Sequence, residues 1–327
     1  MNGFGVPVAI LNFNRPQLTR RVFEVVRQIK PRRLLLIADG PRASKPDDVR
    51  LCAEVRSIFD EIDWECEVSR KFSDINLGSF KSNSSGLNWV FDSVEEAIII
   101  EDDCVPSLSF FRYCEELLER YKDNPKVGVI TGYNLGFPKS GHDNDSYFFS
   151  AYALTWAWAS WRRVWRQVDL DMSWWTPKAG EKMLRTLFPQ PAEWQYWFRL
   201  YERIRRGKMK NGWDYQLILS NLRYSQLCII PNVNLISNIG FGPEGTNCRD
   251  ESSLMHDVPR GEISFPMVDP VVVRRSGSVD HAIFCIRFLA PPPSLWMHIK
   301  SKLLLKSKLI RTLNSARKKF LGKYKSD

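Results

Sequence analysis

Short apolar runs alternate with helix-like segments over the first 135 residues. The runs, each of the length of a buried strand, are 6–13, 34–38, 97–100 and 127–131, with a weaker one at 65–69. The segments with apolar residues at helical spacing are 18–29, 49–62, 86–93 and 110–121. This alternation predicts βαβ units, and therefore an α/β fold with a mixed, mainly parallel sheet flanked by helices.

Polar residues follow three of these runs at the point where each run ends. Asn14 and Arg15 follow the first run, Asp39 and Gly40 follow the second, and three acids at 101–103 follow the run at 97–100. Ligands of open α/β sheets bind beyond the carboxyl ends of the strands. We therefore expect these polar residues to outline one site.

The composition changes in the middle of the chain. Eight of the twelve tryptophans lie between Trp156 and Trp197, mixed with Arg, Gln and Tyr. We interpret 147–213 as a helical, aromatic-rich region that packs on the sheet, with Trp156, Trp158 and Trp213 as candidate contacts of a ligand. Aromatic rings stack well on sugar faces, but most tryptophans of a chain of this size belong to the core.

The net charge of +10 belongs to one end of the chain. Residues 291–327 contain ten Lys or Arg and one acid, whereas the other 290 residues contain 37 basic and 36 acidic residues. The body of the protein therefore lacks the broad basic surface that nucleic-acid binding requires, and we expect no nucleic-acid partner. A hydrophobic fraction of 44% and a charged fraction of 26% indicate a globular chain.

The seven cysteines form no Cys-x-x-Cys pair, which argues against a zinc ribbon or a disulfide framework and favours reduced, mostly buried thiols. The sequence contains no run of about 18 apolar residues that would span a bilayer. It also lacks an N-terminal basic segment followed by an apolar one, the mark of a secretory signal. We expect a cytoplasmic protein.

Three acids in a row after a buried strand are electrostatically unfavourable. Like charges at Glu101, Asp102 and Asp103 repel and raise one another's pKa unless a cation compensates them. A hard divalent cation that also binds a diphosphate would do so, and would act as a Lewis acid on a leaving group. Alternatively, the acids form a loop that caps the helix containing Phe110. The triplet alone leaves both interpretations open.

The motifs taken together carry a resemblance to a known family. The segment 98–106 (IIIEDDCVP), followed by two phenylalanines, resembles the acidic metal-binding motif of glycosyltransferases with the Rossmann-like GT-A fold. It is especially similar to N-acetylglucosaminyltransferase I and to bacterial family-2-like sugar transferases. The segment 76–78 (NLG) resembles the Asn-x-Gly segment of the family-2 enzymes, and 13–16 (FNRP) resembles the loop after their first strand. The resemblance covers about residues 5 to 245.

This resemblance implies a role for each matching residue. Asp103 would ligate Mn²⁺ or Mg²⁺, with Glu101 orienting the loop or adding a ligand, and Asp102 would lie near the ribose. Asp39 would accept a hydrogen bond from a uracil-type base, and Arg15 and Lys81 would meet phosphate or base. The residues assigned to the nucleotide-sugar donor are Arg15, Asp39, Asn76, Gly78, Lys81 and Asp102.

The resemblance also implies a catalytic base. Inverting transferases of this kind use an Asp or Glu at the start of a helix downstream of the acidic motif, which takes the proton of the acceptor hydroxyl. Asp214 follows Gly212 and precedes a helical apolar pattern, so it is the candidate base. Its alternative role is that of an ordinary acid at a helix N-terminus.

A histidine often completes the metal site in the related enzymes, after a segment that 231–242 resembles. This chain has Thr246, Asn247 and Cys248 where a Thr-His pair is expected. His256 is a substitute ligand; otherwise the donor diphosphate and water complete the shell.

The basic segment 291–327 interleaves apolar residues with Lys and Arg, a pattern typical of amphipathic helices that bind membrane surfaces. A helix docked on the body and a nucleic-acid arm are the other interpretations. A membrane location would suit a lipid-linked saccharide acceptor and a site on the inner face of the cell membrane.

We therefore predict a metal-dependent, inverting glycosyltransferase that uses a nucleotide sugar, with UDP favoured, in bacterial surface polysaccharide or glycolipid assembly. The predicted GT-A domain is 1–250, in which residues 1–135 bind the donor and residues 136–250 form the acceptor and catalytic region. An irregular connection at 251–290 and a tail at 291–327 follow. The alternatives are a nucleotidyltransferase, whose usual glycine-rich loop is missing after the first strand, and a membrane-peripheral scaffold without activity.

Overall fold

The computed structural model describes residues 3–135, 144–209, 212–242 and 255–288. The strands, numbered along the chain, are β1 Val8–Asn12, β2 Arg33–Ala38, β3 Glu67–Phe72, β4 Glu96–Glu101, β5 Cys104–Pro106, β6 Val127–Thr131, β7 Tyr147–Ser150, β8 Trp158–Trp161, β9 Leu227–Pro231 and β10 Ile236–Asn238. The helices are α1 Pro16–Ile29, α2 Asp47–Ile58, α3 Ser79–Ser93, α4 Leu108–Tyr121, α5 Arg162–Trp165, α6 Pro177–Leu187, α7 Pro191–Arg205, α8 Trp213–Arg223 and α9 Gly277–Arg287.

Eight strands form one central sheet in the order β3-β2-β1-β4-β8-β6-β9-β7. Neighbours among β3, β2, β1 and β4 are parallel, as are β6 and β9, whereas β8 and β7 run antiparallel to their neighbours. The carboxyl ends of β1, β2 and β4 therefore lie side by side at one edge of the sheet. The predicted fold class, a mixed and mainly parallel α/β sheet with flanking helices, is confirmed.

Strands β7 and β8 correct the expectation that 147–213 is wholly helical. Strand β8 lies between β4 and β6 in the middle of the sheet, and all four of its residues are buried. A strand covered on both faces shows no alternation of polar and apolar residues. Such a short run rich in tryptophan cannot be told from a helix segment by its periodicity.

Helix α3 packs directly on the sheet next to the expected site. A Cβ atom at Gly86 would lie 2.7 Å from Cγ2 of Ile37 in β2, so only glycine allows this approach. The helix is longer than predicted and begins at Ser79, after Gly78, whose φ is +79°. The first turn of α3 therefore starts beside the end of β2.

The described segment 255–288, which was expected to be irregular, contains a helix that packs on the rest of the fold. In α9, Ile283 and Phe284 are completely buried. The carboxylate of Asp280 accepts hydrogen bonds from Ser150 Oγ (2.7 Å) and Ala151 N (3.1 Å). These contacts attach α9 to the central sheet, and the domain boundary at residue 250 stays a prediction. The basic segment 291–327 lies outside the described residues.

Within the described ranges, every helix is too short or too polar to cross a bilayer.

Candidate functional site

The acidic triplet lies at the end of β4 and is held by Arg15 from the loop between β1 and α1. The guanidinium of Arg15 donates to both carboxylate oxygens of Asp102, through Nη2 and, at 3.3 Å, through Nε. Its Nη1 lies 2.9 Å from Oδ2 of Asp103. The Asp102 side chain is 5% exposed and that of Asp103 14%. One arginine thus bridges two of the three acids.

The charges of these residues stabilise one another. Burial opposes the charge of Arg15, but Asp102 and Asp103 outweigh that effect and raise its pKa. Burial also raises the pKa of Asp102 to about 6, although Arg15 pulls it down. Arg15 therefore supplies a buried positive charge beside two of the three acids. Whether a divalent cation also binds there stays a prediction.

Asp214 occupies the first turn of α8, and its charge acts on the triplet. Burial raises the pKa of Glu101 well above its usual range, and the charges of Asp103, Asp102 and Asp214 raise it further. Asp214 is therefore within electrostatic range of the triplet. Burial raises the pKa of Asp214 as well, and the charge of Arg287 opposes that increase.

Gly212 makes room for the Asp214 carboxylate. A Cβ atom at Gly212 would lie 2.2 Å from Oδ1 of Asp214, whereas its φ of −101° suits any residue. The glycine is thus needed for space rather than for a special backbone conformation.

The carboxylate of Asp39, after β2, organises the turn before α3. Its Oδ1 accepts from the backbone N–H groups of Gly40 (2.9 Å) and Leu77 (2.8 Å), and its Oδ2 accepts from Asn76 Nδ2 and Gly78 N, both at 3.0 Å. These bonds use the four acceptor positions of a carboxylate. The structure thus gives Asp39 a positioning role, and the expected contact with a nucleobase would require one of these bonds to break.

Replacing Asp39 by Asn should loosen this turn. An amide keeps one oxygen and turns an NH₂ group toward N–H donors, so buried donors lose their partners. We expect the free energy of unfolding to fall by about 1–3 kcal/mol and nucleotide-sugar affinity to fall with it. Urea unfolding and donor titration test this, with the exposed Asp47→Asn of α2 as control. Wild-type values for both quantities in Asp39→Asn would contradict the positioning role.

Lys81 lies on the exposed side of the first turn of α3. Among the residues that the structure describes, Lys81 takes part in no ion pair. Its ammonium group is therefore available to an anion, and its role in donor binding stays a prediction.

The three candidate tryptophans have different environments. Trp158 is completely buried, and Trp213 is 4% exposed. Their rings stack on each other with centroids 5.7 Å apart. Both belong to the core, which corrects the expectation that they contact an acceptor. Trp156 is partly buried, packs 4.5 Å from the ring of Tyr133, and stays a candidate.

The segment around β10 approaches the acidic triplet closely. A Cβ atom at Gly240 would lie 2.0 Å from Oδ2 of Asp103, so this position requires glycine. His256 packs on Phe241, with ring centroids 5.4 Å apart, and Phe241 packs edge-on against Trp156. Within the described ranges no three His, Cys, Asp or Glu side chains converge as a metal cluster, so His256 completes no such set there. Residues 246–248 lie outside the described chain.

Asp103 still fits a divalent cation as a single ligand. Its Oδ2 contacts Arg15, whereas the polar neighbour of its Oδ1 is the Cys104 thiol at 3.4 Å, a weak donor. A hard cation accepts carboxylate oxygen together with phosphate and water ligands. The metal stays a prediction that rests on Asp103 and on ligands from a bound diphosphate.

Arg287, near the end of α9, is a site residue that the sequence patterns did not indicate. Its guanidinium lies 5.7 Å from the ring centroid of Trp156. Burial raises the pKa of Asp214, and the charge of Arg287 opposes that increase. Arg287 belongs to a segment that the sequence predicts to be an irregular connection. Only the packing of α9 on the body brings it to the site.

Comparisons with known proteins add a weak likeness of architecture. No family model and no curated protein matches the chain. Among solved structures, S. aureus TarS 1-349 is similar with a TM-score of 0.42 and 8% identity, over 71% of this chain and 59% of the TarS chain. The chain thus spans about three fifths of that structure.

Two further structures share the α/β architecture over about half of this chain. The 4-diphosphocytidyl-2C-methyl-D-erythritol synthase of Anaerococcus prevotii matches with a TM-score of 0.31 and 9% identity, over 50% of this chain and 74% of that one. HddC of Yersinia pseudotuberculosis matches with a TM-score of 0.31 and 11% identity, over 49% of this chain and 78% of the HddC chain.

Proposed function

We propose that this protein is a glycosyltransferase that moves a sugar from a nucleotide sugar, with UDP favoured, to an acceptor hydroxyl with inversion. The observation that carries the proposal is the placement of Asp214. A carboxyl group in the first turn of a helix, with a raised pKa, lies within electrostatic range of the acidic triplet, which Arg15 holds at the carboxyl ends of β1 and β4. Interacting carboxyl groups with raised pKa values are typical of catalytic sites.

The residues divide into a donor side and an acceptor side. On the donor side, Arg15 and Lys81 are cations that attract the diphosphate of the donor, and Asp39 holds the turn from which α3 begins. A divalent ion held by Asp103 would neutralise the leaving diphosphate. On the acceptor side, Asp214 takes the proton of the acceptor hydroxyl. The hydroxyl oxygen forms a bond to the donor sugar while the bond between that sugar and the diphosphate breaks, and the nucleoside diphosphate leaves.

Arg287 lowers the pKa of Asp214, the proposed base. Burial favours the neutral form of Asp214, which cannot accept a proton, and the positive charge of Arg287 favours the ionised form. The balance leaves a carboxyl group whose pKa lies above that of an ordinary aspartate.

The first test is donor binding. A panel of nucleotide sugars and free nucleotides, each with Mn²⁺ or with EDTA, is compared by thermal unfolding and by release of nucleotide. A ligand that binds only the folded protein raises the unfolding temperature. We expect a UDP-sugar with Mn²⁺ to give the largest rise, and slow release of UDP. If no nucleotide sugar raises the unfolding temperature, the proposal fails in favour of a scaffold. Release of pyrophosphate from a nucleotide triphosphate and a sugar phosphate would favour a nucleotidyltransferase.

The proposed setting is assembly of a surface polysaccharide or glycolipid on a lipid-linked acceptor. It rests on the basic, amphipathic pattern of 291–327. Sedimentation with anionic and neutral vesicles tests it, and equal membrane association after deletion of that segment would contradict it.

The pH dependence of transfer tests the role of Asp214. An Asp has a usual pKa of 3.8, and burial raises that of Asp214, so kcat should fall on acidification with a midpoint above 3.8. Arg287→Gln removes the charge that opposes this increase, so the midpoint should move to still higher pH. The quantity compared is the midpoint of the acidic limb, not the maximal rate. An unchanged or lower midpoint in Arg287→Gln would show that Arg287 does not lower the pKa of Asp214.

A further inference from the structure

A groove of about 600 Å³ runs along α7 to the start of α8, beside the candidate site. Its walls are made by helix α7 on one side and by residues before and within the first turn of α8 on the other. The side chains that give the groove its chemical character are Tyr196, Arg199, Arg203, Met209 and Tyr215. Two tyrosines and a methionine give it flat and apolar walls, and two arginines give it positive charge.

The arginines of this groove differ from the two arginines at the C-terminal end of α7, Arg205 and the capping residue Arg206. Arg205 and Arg206 both pair with Glu202, at 3.0 Å each. Within the described ranges of the chain, Arg199 and Arg203 form no ion pair with an acid. They are four residues apart on one helix face, which places their Cβ atoms about 6 Å from each other. The groove therefore contains two adjacent, uncompensated guanidinium groups.

The groove reaches the first turn of α8, the turn that also contains Asp214. Tyr215, which lines it, is the residue after Asp214. Burial raises the pKa of both Tyr196 and Asp214, and the charge of Arg287 opposes the increase in each, so Arg287 lies within electrostatic range of both.

We propose that this groove binds the acceptor, and that the acceptor is an anionic saccharide carrying phosphate or carboxylate groups. This inference rests on the proposed function, since Asp214 must receive a hydroxyl of that acceptor. Tyrosine rings suit sugar faces, and each guanidinium can bind a phosphate or carboxylate with two parallel hydrogen bonds. A neutral saccharide would leave both arginines without a partner.

The basic segment 291–327 is a poor occupant of the same groove. Its net charge is +9, from ten basic residues and one acid, and like charges repel. Charge complementarity therefore favours an anionic ligand over this segment of the chain.

The test measures binding of three soluble oligosaccharides of similar length to the full chain. They are a neutral dextran oligomer, an oligogalacturonate that carries carboxylates, and a phosphorylated mannan oligomer. Tryptophan fluorescence titration is done at low and at physiological salt. We expect at least one anionic oligomer to bind the wild type about tenfold or more tighter than dextran, with the tighter of the two identifying the anion. Equal affinities for all three would overturn the proposal.

Matched variants separate the groove from other basic surfaces. The double variant Arg199→Gln/Arg203→Gln should lose about tenfold or more in affinity for the preferred anionic oligomer. Arg206→Gln removes a charge from the same helix outside the groove and should change it little. A double variant that binds as tightly as Arg206→Gln overturns the proposal, provided that both variants unfold at the wild-type temperature.

Failure of this inference can be told from failure of the proposed function. All variants keep Arg15, Lys81 and the acidic triplet, so the rise in unfolding temperature with UDP-sugar and Mn²⁺ should be the same in each. If the donor binds but the anionic oligosaccharides bind no tighter than dextran, the groove proposal is wrong and the proposed function stands. If no donor binds, the proposed function is wrong, independently of the oligosaccharide affinities.

Discussion

Replacing Asp214 by Asn is expected to lower kcat for sugar transfer by about 10²–10⁴-fold, the contribution of a general base to catalysis. The amide has nearly the shape of the carboxylate but cannot take a proton from the acceptor hydroxyl. Donor affinity should change little, because Arg15, Lys81 and Asp103 are untouched. The measurement is kcat with saturating donor and acceptor, together with the dissociation constant of the donor.

Asp171→Asn is a suitable control, because Asp171 is an exposed acid of the same aromatic-rich region. It should keep wild-type kcat and wild-type stability. If Asp214→Asn loses donor binding but retains turnover at saturation, Asp214 belongs to the donor site and is not the base. If both parameters stay at wild-type values, the proposed mechanism is wrong.

The sequence pattern was sufficient where strands lie among parallel neighbours. Strands β1, β2 and β4 are continuous apolar runs because helices cover both faces of the sheet, and each run ends in polar residues that meet at one edge. The position of Arg15 and of the acidic triplet at that edge therefore follows from local sequence. Strand β8, which enters the same sheet from the aromatic region, has no such local signal.

The partners of the site residues could not be predicted from the same patterns. Arg15 and Asp102 are 87 positions apart, and nothing in either neighbourhood specifies that they pair. The four hydrogen bonds of Asp39 depend on how α3 is set against β2, which Gly86 permits through its lack of a side chain. Trp158 and Trp213 stack on each other because β8 and α8 pack together. Tertiary packing decides each of these contacts.

Removal of Arg15 is expected to have the largest effect on stability. Arg15→Ala leaves Asp102 and Asp103 without the positive charge that compensates them in a nearly buried position. Breaking a buried ion pair by removing one partner costs about 3–5 kcal/mol. Arg15→Lys keeps the charge but cannot bridge both carboxylates with a planar fork, so its loss should be smaller. Urea unfolding without added metal measures both.

The same variants also show whether a divalent ion shares the role of Arg15. If Asp103 ligates Mn²⁺, the ion should raise the unfolding temperature of Arg15→Ala more than that of the wild type, because its charge replaces the missing guanidinium. Arg27→Ala, which removes a surface ion pair with Asp63, is the matched control. It should unfold close to the wild-type temperature, and Mn²⁺ should raise that temperature no more than it does for the wild type. Arg15→Ala with wild-type stability would show that the triplet does not depend on the arginine. If Mn²⁺ changes the unfolding temperature of the wild type, Arg15→Ala and Arg27→Ala equally, Arg15 is the cation that compensates the triplet, and the prediction that Asp103 ligates a metal is wrong.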